Sequence, residues 1–438
     1  MTSANDLWLA RSRGAVWHPC TQMKQHETLP LVPIAHASGP WLYDFDGRRY
    51  LDAVSSWWVN LFGHGQPAIT AAIGAQLVEL EHAMLAGFTH RPVIELSERL
   101  AAIAPGRLGH CFYGSDGAAA VEIALKMSFH YWRNVGRPKK TGFASLEHGY
   151  HGETLGALAV TDVALFRDVY APLLRHVTVV PSPDARLATP GVAAREHALE
   201  AAAALEAVLA ESHATIAALI VEPLVQGAAG MAMYHPVYLE RAREITRRYD
   251  VHLIADEIMT GFGRTGTMFA CEQAGIEPDF LCLSKGITGG CLPLSVVLTT
   301  DTVYAAFYDD DPALGFLHSH SYSGNALACR AALTVLDLFR DGNVIARNRD
   351  RAAELTAAAQ PLAMHPKVRN FRRLGMIWAF EVESARRDFT HWCFSQALQR
   401  ELLLRPIGNT VYWMPPYVLD AAEAALLAER TLDIVACA

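Results

Sequence analysis

Ala217-Ala-Leu-Ile-Val-Glu222 and Val251-His-Leu-Ile-Ala-Asp256 are the two stretches on which the fold of this chain turns. Apart from His252, neither interrupts its apolar run before the terminal carboxylate. A strand with one wet face alternates polar and apolar residues, so runs like these read as strands covered on both faces. In globular chains that means a parallel sheet flanked by helices. A third run, Phe280-Leu-Cys-Leu-Ser-Lys285-Gly-Ile-Thr-Gly-Gly290, enters a lysine and then a glycine loop.

Working outward, apolar runs alternate with longer helical patterns from about residue 65 to 330, as in an α/β domain. The Ala-rich segment 185–215 reads as an exposed helix after its Pro190-Gly191 break. Near the start, Trp41-Leu-Tyr-Asp-Phe-Asp-Gly47-Arg predicts two short strands around an Asp-Gly turn. The expected organisation is a large domain over 61–332. Residues 1–60 pack with 333–438 to form a smaller α+β domain from both chain ends.

Composition narrows the function. With 438 residues, 51% hydrophobic and 19% charged, the chain can bury a large core. Its net charge of −8 argues against a nucleic-acid or anionic-membrane surface. No apolar stretch is long enough to span a bilayer, and the N-terminus lacks the apolar core of a signal peptide. Eight scattered cysteines without a Cys-x-x-Cys pair point to reduced thiols in the cytoplasm and to no metal site.

Glu222, Asp256 and Lys285 fall at or just past the ends of successive strand candidates. Ligands of open parallel sheets bind outside the carboxyl ends of the strands, so these side chains are expected to converge. Asp256 could instead cap a helix, and Lys285 could be a surface lysine; against the second stand the chain's six lysines and the apolar sequence around this one. A lysine beside a low-dielectric core has a lowered pKa and attacks aldehydes. A carboxylate nearby would keep a pyridine nitrogen protonated. Together they match what pyridoxal 5′-phosphate (PLP) requires.

Gly261-Phe-Gly263-Arg264-Thr-Gly266 is literally a G-x-G-x-x-G dinucleotide fingerprint, but it lacks the adjoining strand and helix and the later acidic residue. A phosphate fits better at Gly114-Ser-Asp-Gly117-Ala118, where small residues open a helical run and backbone amides can grip an anion; plain capping by Ser115 or Asp116 is the alternative. In His148-Gly-Tyr150-His-Gly152-Glu153, Tyr150 could lie on the face of a planar cofactor.

Glu222-Pro223, Ile254-Ala-Asp256-Glu257-Ile, Gly261-Phe-Gly-Arg-Thr-Gly266 and Ser284-Lys285-Gly-Ile-Thr-Gly-Gly290, in this order and spacing, resemble the class III aminotransferases of PLP fold type I over essentially the whole chain. Trp17-His-Pro19-Cys20-Thr-Gln-Met23, Ser55-Ser-Trp57-Trp58, Gln226 to Pro236, Arg405-Pro-Ile-Gly and Tyr412-Trp-Met-Pro-Pro-Tyr417 resemble more narrowly the branch of that family that works in biotin biosynthesis. The resemblance implies a homodimer with shared active sites and a ping-pong exchange. S-adenosylmethionine would give its amino group to 8-amino-7-oxononanoate, forming 7,8-diaminononanoate. A broad amine or diamine:pyruvate transaminase, or a lysine-donor form of the biotin enzyme, is the alternative.

The resemblance further implies that Lys285 holds PLP as a Schiff base, Asp256 the ring nitrogen, Tyr150 the ring face, and Gly117 and Ala118 the phosphate. Glu222 belongs to the same cofactor site. A partner subunit's segment, here Ser319-His320-Ser321, completes it. Arg405 would take the substrate carboxylate, and Trp57, Trp58 and Tyr412 its apolar chain, with Cys20, Glu153 and Ser319 also at the substrate. Some relatives carry Tyr in place of Cys20, Asp in place of Glu153, and Gly-Pro-Thr in place of Ser319-His320-Ser321.

Overall fold

Ile216–Val221 is buried at all six positions and His252–Asp256 at all five. In the computed structural model, which describes residues 3–438, they lie side by side near the middle of a seven-stranded sheet. Its strands in chain order are β1 (His110–Gly114), β2 (Gly142–Leu146), β3 (Thr178–Val180), β4 (Ile216–Val221), β5 (His252–Asp256), β6 (Phe280–Leu283) and β7 (Ser295–Thr299). The spatial order is β1-β7-β6-β5-β4-β2-β3. β7 runs antiparallel to both neighbours, and the other strands share one direction. This is the mainly parallel sheet expected from the unbroken apolar runs.

Helices explain why those runs need no polar face. Gly117–Asn134 packs on the sheet and buries Ala120, Ile123, Ala124 and Met127 in one cluster with Ile220, Ile254, Phe280 and Val297. Ala194–Ser212 is the alanine-rich helix expected after Pro190-Gly191. Its buried stripe of Ala198, Ala201, Ala202, Leu205 and Leu209 packs against the helix Val237–Arg248. It therefore covers neighbouring structure on one face instead of standing exposed.

The chain divides into two compact units, one spanning Ala68–Ile345 and the other joining the chain up to Pro67 with Ala346–Ala438. The divisions thus fall at 67/68 and 345/346, and the helix Ala326–Asp341 stays with the larger unit. In the smaller unit, Trp41–Asp44 and Arg49–Asp52 form the hairpin expected around Asp46-Gly47. The short strand Leu402–Leu403 joins that sheet parallel to Arg49–Asp52, so the two chain ends share it. A second, antiparallel sheet pairs Val368–Leu374, Ile377–Val382 and Thr410–Trp413 and buries Trp378, Phe380 and Trp413. Among the described residues no helix is long and apolar enough to cross a membrane.

Candidate active site

β4 leads directly into Glu222, β5 ends on Asp256, and β6 reaches Lys285 one residue after Ser284. Val221 lies opposite Ala255 and Asp256 opposite Cys282, so all three functional groups leave the same end of the sheet. Electrostatics also join them. Burial lowers the pKa of the Lys285 amine, while the charges of Asp256 and then Glu222 oppose that shift. Lys285 has φ +43°, in the left-handed region, and opens the turn Lys285–Thr288; Ser284 anchors its start by donating to the Leu294 carbonyl at 2.8 Å.

Asp256 is 4% exposed. Its Oδ2 accepts from Nδ1–H of His151 at 2.7 Å and its Oδ1 from the Ile258 amide at 3.2 Å. A carboxylate only accepts, which fixes the proton on Nδ1. His151 is also buried, and among the described residues its Nε2 has no hydrogen-bond partner. This histidine sits inside the quoted Tyr150 motif, yet its role was not legible there: the contact spans 105 positions of sequence.

Glu222 is fixed differently from a side chain awaiting a ligand. Its two oxygens accept from the amides of Tyr150 and Gly227, each at 2.9 Å. Burial is the first reason that its pKa is pushed up to about 7, with His151 pulling it down and Asp256 pushing it up. Glu222 thus holds the loop that carries Tyr150. The Tyr150 hydroxyl in turn donates to Glu153 at 2.9 Å, and its ring meets Phe166 edge-on.

Asp116 caps the helix Gly117–Asn134 by accepting from the Ala119 amide at 3.0 Å, and its carbonyl takes the Ala120 amide. The amides of Gly117 and Ala118 are left as first-turn donors with no acceptor in the helix. The capping reading of this turn is what the structure shows, with Asp116 as the cap. Gly152, at φ +123°, is so close that a Cβ there would stand 2.7 Å from Cβ of Ala118, and a Cβ at Gly117 would stand 3.0 Å from Cγ2 of Ile258. Two glycines therefore let the Tyr150 loop, the start of the helix Gly117–Asn134 and the residues after Asp256 meet. A buried carboxylate backed by histidine, an amine with a lowered pKa and a pair of free helix-start amides fit the ring nitrogen, aldehyde and phosphate of PLP.

Gly261–Gly266 is wound into a buried turn and opens no helix. Glu257 closes it, accepting from the amides of Ala270 at 2.6 Å and Cys271 at 2.8 Å; burial raises its pKa to about 7. The dinucleotide pattern is thus structural.

The remaining candidates fall in other places. Ser319 and Ser321 are exposed, and the Ser321 carbonyl accepts from Nε2 of His82 at 2.8 Å. Among the described residues no hydrogen bond ties Ser319, His320 or Ser321 to Gly117 or Ala118 of the same chain. Cys20 is exposed at φ +50°.

The smaller unit gathers its own cluster. The Arg405 guanidinium lies over the Trp57 ring, 4.3 Å from its centroid, and Trp58 Nε1 donates to the Tyr412 hydroxyl at 3.0 Å. Trp57 is 42% exposed and Trp58 only 6%, so one ring of the pair is open to solvent and the other is largely covered. They sit in a turn where Ser55, Ser56, Trp57 and Trp58 have φ of +50°, +45°, +73° and +74°. The amides of Trp58 and Val59 close it on the carbonyls of Val54 and Ser55. It is one turn of left-handed helix, a form that costs roughly 1–2 kcal/mol per residue for side chains of this chirality.

A family model, aminotransferase class-III, matches residues 22–435. The chain belongs to the class III aminotransferases. It is thus a PLP-dependent transaminase of fold type I, as the motif order implied. Within this family it is 45% identical to the adenosylmethionine-8-amino-7-oxononanoate aminotransferase of Helicobacter pylori, over 96% of this chain and 95% of that one. The crystal structure of the enzyme of that name from Methanocaldococcus jannaschii superposes with a TM-score of 0.93 at 33% identity, covering 99% of each chain. A PLP-bound amine transaminase from an uncultivated Pseudomonas species superposes at 0.89, also 33% identical, covering 97% of this chain and 98% of that one.

Proposed function

We propose that this class III aminotransferase moves the amino group of S-adenosylmethionine to 8-amino-7-oxononanoate, forming 7,8-diaminononanoate in biotin biosynthesis, as a cytoplasmic homodimer. The observation that carries this reading is the name shared by its full-length relatives, of which the Helicobacter pylori protein is 45% identical. The Trp57–Arg405 pairing supports it from the side of the chemistry.

In this reading Asp256 holds the cofactor's ring nitrogen, Tyr150 its ring face, and Gly117 and Ala118 its phosphate, while Ser319, His320 and Ser321 of the partner subunit complete the phosphate site. When bound, PLP supplies a cationic ring that withdraws the electron pair left at a substrate carbon. The chain's residues do the rest. Lys285 Nζ, its pKa lowered by burial, removes the proton from the amine-bearing carbon of the donor and delivers one to the former ketone carbon of the acceptor. His151 keeps the carboxylate of Asp256 oriented.

Arg405 receives the carboxylate of each substrate in turn; its planar fork suits that group. Trp57, Trp58 and Tyr412 bury the methylenes between the acceptor's carboxylate and its ketone, at about 0.8 kcal/mol each. Cys20, Glu153 and Ser319 border the substrate's amine end.

A single-turnover screen tests the reading. S-adenosylmethionine should bleach the PLP absorbance, and 8-amino-7-oxononanoate should restore it. Bleaching by lysine and not by S-adenosylmethionine would replace the donor. Rapid amination of pyruvate with no use of the amino-oxononanoate would overturn the reading in favour of an amine:pyruvate transaminase.

A further inference from the structure

The left-handed turn Ser55–Trp58 needs something to hold it, and a buried carboxylate lies next to it. Asp52, 0% exposed, ends the strand Arg49–Asp52. Its Oδ1 accepts from the Val54 amide at 3.3 Å. Its Oδ2 accepts from the Ser56 hydroxyl at 2.7 Å and faces Nε2 of His64 at 3.2 Å. His64 is itself pinned by paired backbone bonds with Gly39. On the other side of the turn the Ser55 hydroxyl donates to the Met414 carbonyl at 2.7 Å, next to the strand that carries Tyr412. Carboxylate, hydroxyl and imidazole thus bracket the four strained residues.

We propose that Asp52, acting with Ser56 and His64, is a positioning residue for substrate selection: it locks the left-handed turn that aims the Trp57 ring and so the Arg405 guanidinium lying on it. Asp52 touches no substrate. Its carboxylate fixes Ser56, Ser56 fixes the next residue's φ, and the Trp57 ring then sets where the guanidinium rests. Relaxed to right-handed φ, the turn would swing the ring away and leave Arg405 without its platform. The inference rests on Trp57 and Arg405 binding the acceptor.

The test uses the PLP-loaded protein with Asp52→Asn, Ser56→Ala, Trp57→Ala and the double variant Asp52→Asn with Trp57→Ala. The expected pattern is a KM for 8-amino-7-oxononanoate raised about tenfold in Asp52→Asn and about threefold in Ser56→Ala, with kcat within about threefold of wild type. A purely structural role would instead lower the melting midpoint and leave that split absent. The double variant should be no worse than Trp57→Ala alone, because the lock then has nothing to aim. Penalties that multiply, or a KM within about twofold of wild type in Asp52→Asn, would overturn the proposal. Should Asp52→Asn fail to fold, Ser56→Ala decides, since Ser56 lies at the surface and the change removes only its hydrogen bond to Asp52. An unmoved KM in Trp57→Ala would bring down the substrate reading and the lock with it, a pattern distinct from failure of the lock alone.

Discussion

The carboxyl end of the large sheet and the Ser55–Trp58 turn hold their side chains by opposite means. Glu222 and Asp256 stand at the ends of β4 and β5 and Lys285 two residues past β6, on chain that regular pairing delivers to one edge of the sheet, although Lys285 itself has a positive φ. Trp57 and Trp58 stand on backbone that regular structure disfavours, kept there by hydroxyls, a carboxylate and an imidazole. The first arrangement rests on backbone pairing and suits chemistry shared by a whole family. The second depends on particular side chains, which suits the choice of one substrate over another.

If that contrast is right, variants of the two regions should fail differently. Lys285→Ala should lose at least about a thousandfold in turnover and lack the borohydride-reducible absorbance of the wild type, while still folding; normal turnover would break the comparison at its root. On the proposed role of Asp256, Asp256→Asn should lower kcat by about 100-fold, with KM little changed, because it leaves the sheet intact and removes the charge proposed to keep the ring nitrogen protonated. Gly152→Ala should weaken PLP retention about tenfold, measured by dialysis, since the new Cβ forces the Tyr150 loop off Ala118. On the other side of the comparison, Arg405→Lys should raise KM for the acceptor about tenfold at nearly unchanged kcat, because a point charge replaces a planar fork.

The smallest effect concerns Glu222. Its folded pKa of about 7 lies above the ordinary 4.5, so the folded protein binds the proton more tightly than the unfolded chain. The stability associated with that proton is complete below pH 4.5 and is lost as pH rises through about 7. In PLP-free protein, the unfolding free energy of wild type should fall relative to Glu222→Gln across that window, by at most a few kcal/mol. Parallel curves would show that Glu222 is already charged at acid pH.

The same contrast explains what was legible in the sequence. Ala217–Val221 and Leu253–Ala255 announce buried parallel strands because burial on both faces leaves no room for alternation, and the residues that follow them mark the site. The Asp46-Gly47 hairpin was equally plain. His151 was not, since nothing in its spacing says that it meets Asp256 across the fold. Nor was Asp52: an acid after Arg49-Tyr-Leu looks like a strand end, and only the positive φ of the next turn shows what it holds. The helix Ala194–Ser212 looked exposed because alanine buries well without appearing strongly apolar.

The strand Leu402–Leu403 pairs with Arg49–Asp52, and the Ser55 hydroxyl reaches the Met414 carbonyl. On a ribosome adding roughly 5–20 residues per second, the tryptophan turn therefore waits tens of seconds for the chain that completes its surroundings. Ala68–Ile345 has all its own strands long before then. A nascent chain can thus form the sheet that carries Glu222, Asp256 and Lys285 first, and the turn that holds Trp57 is completed last.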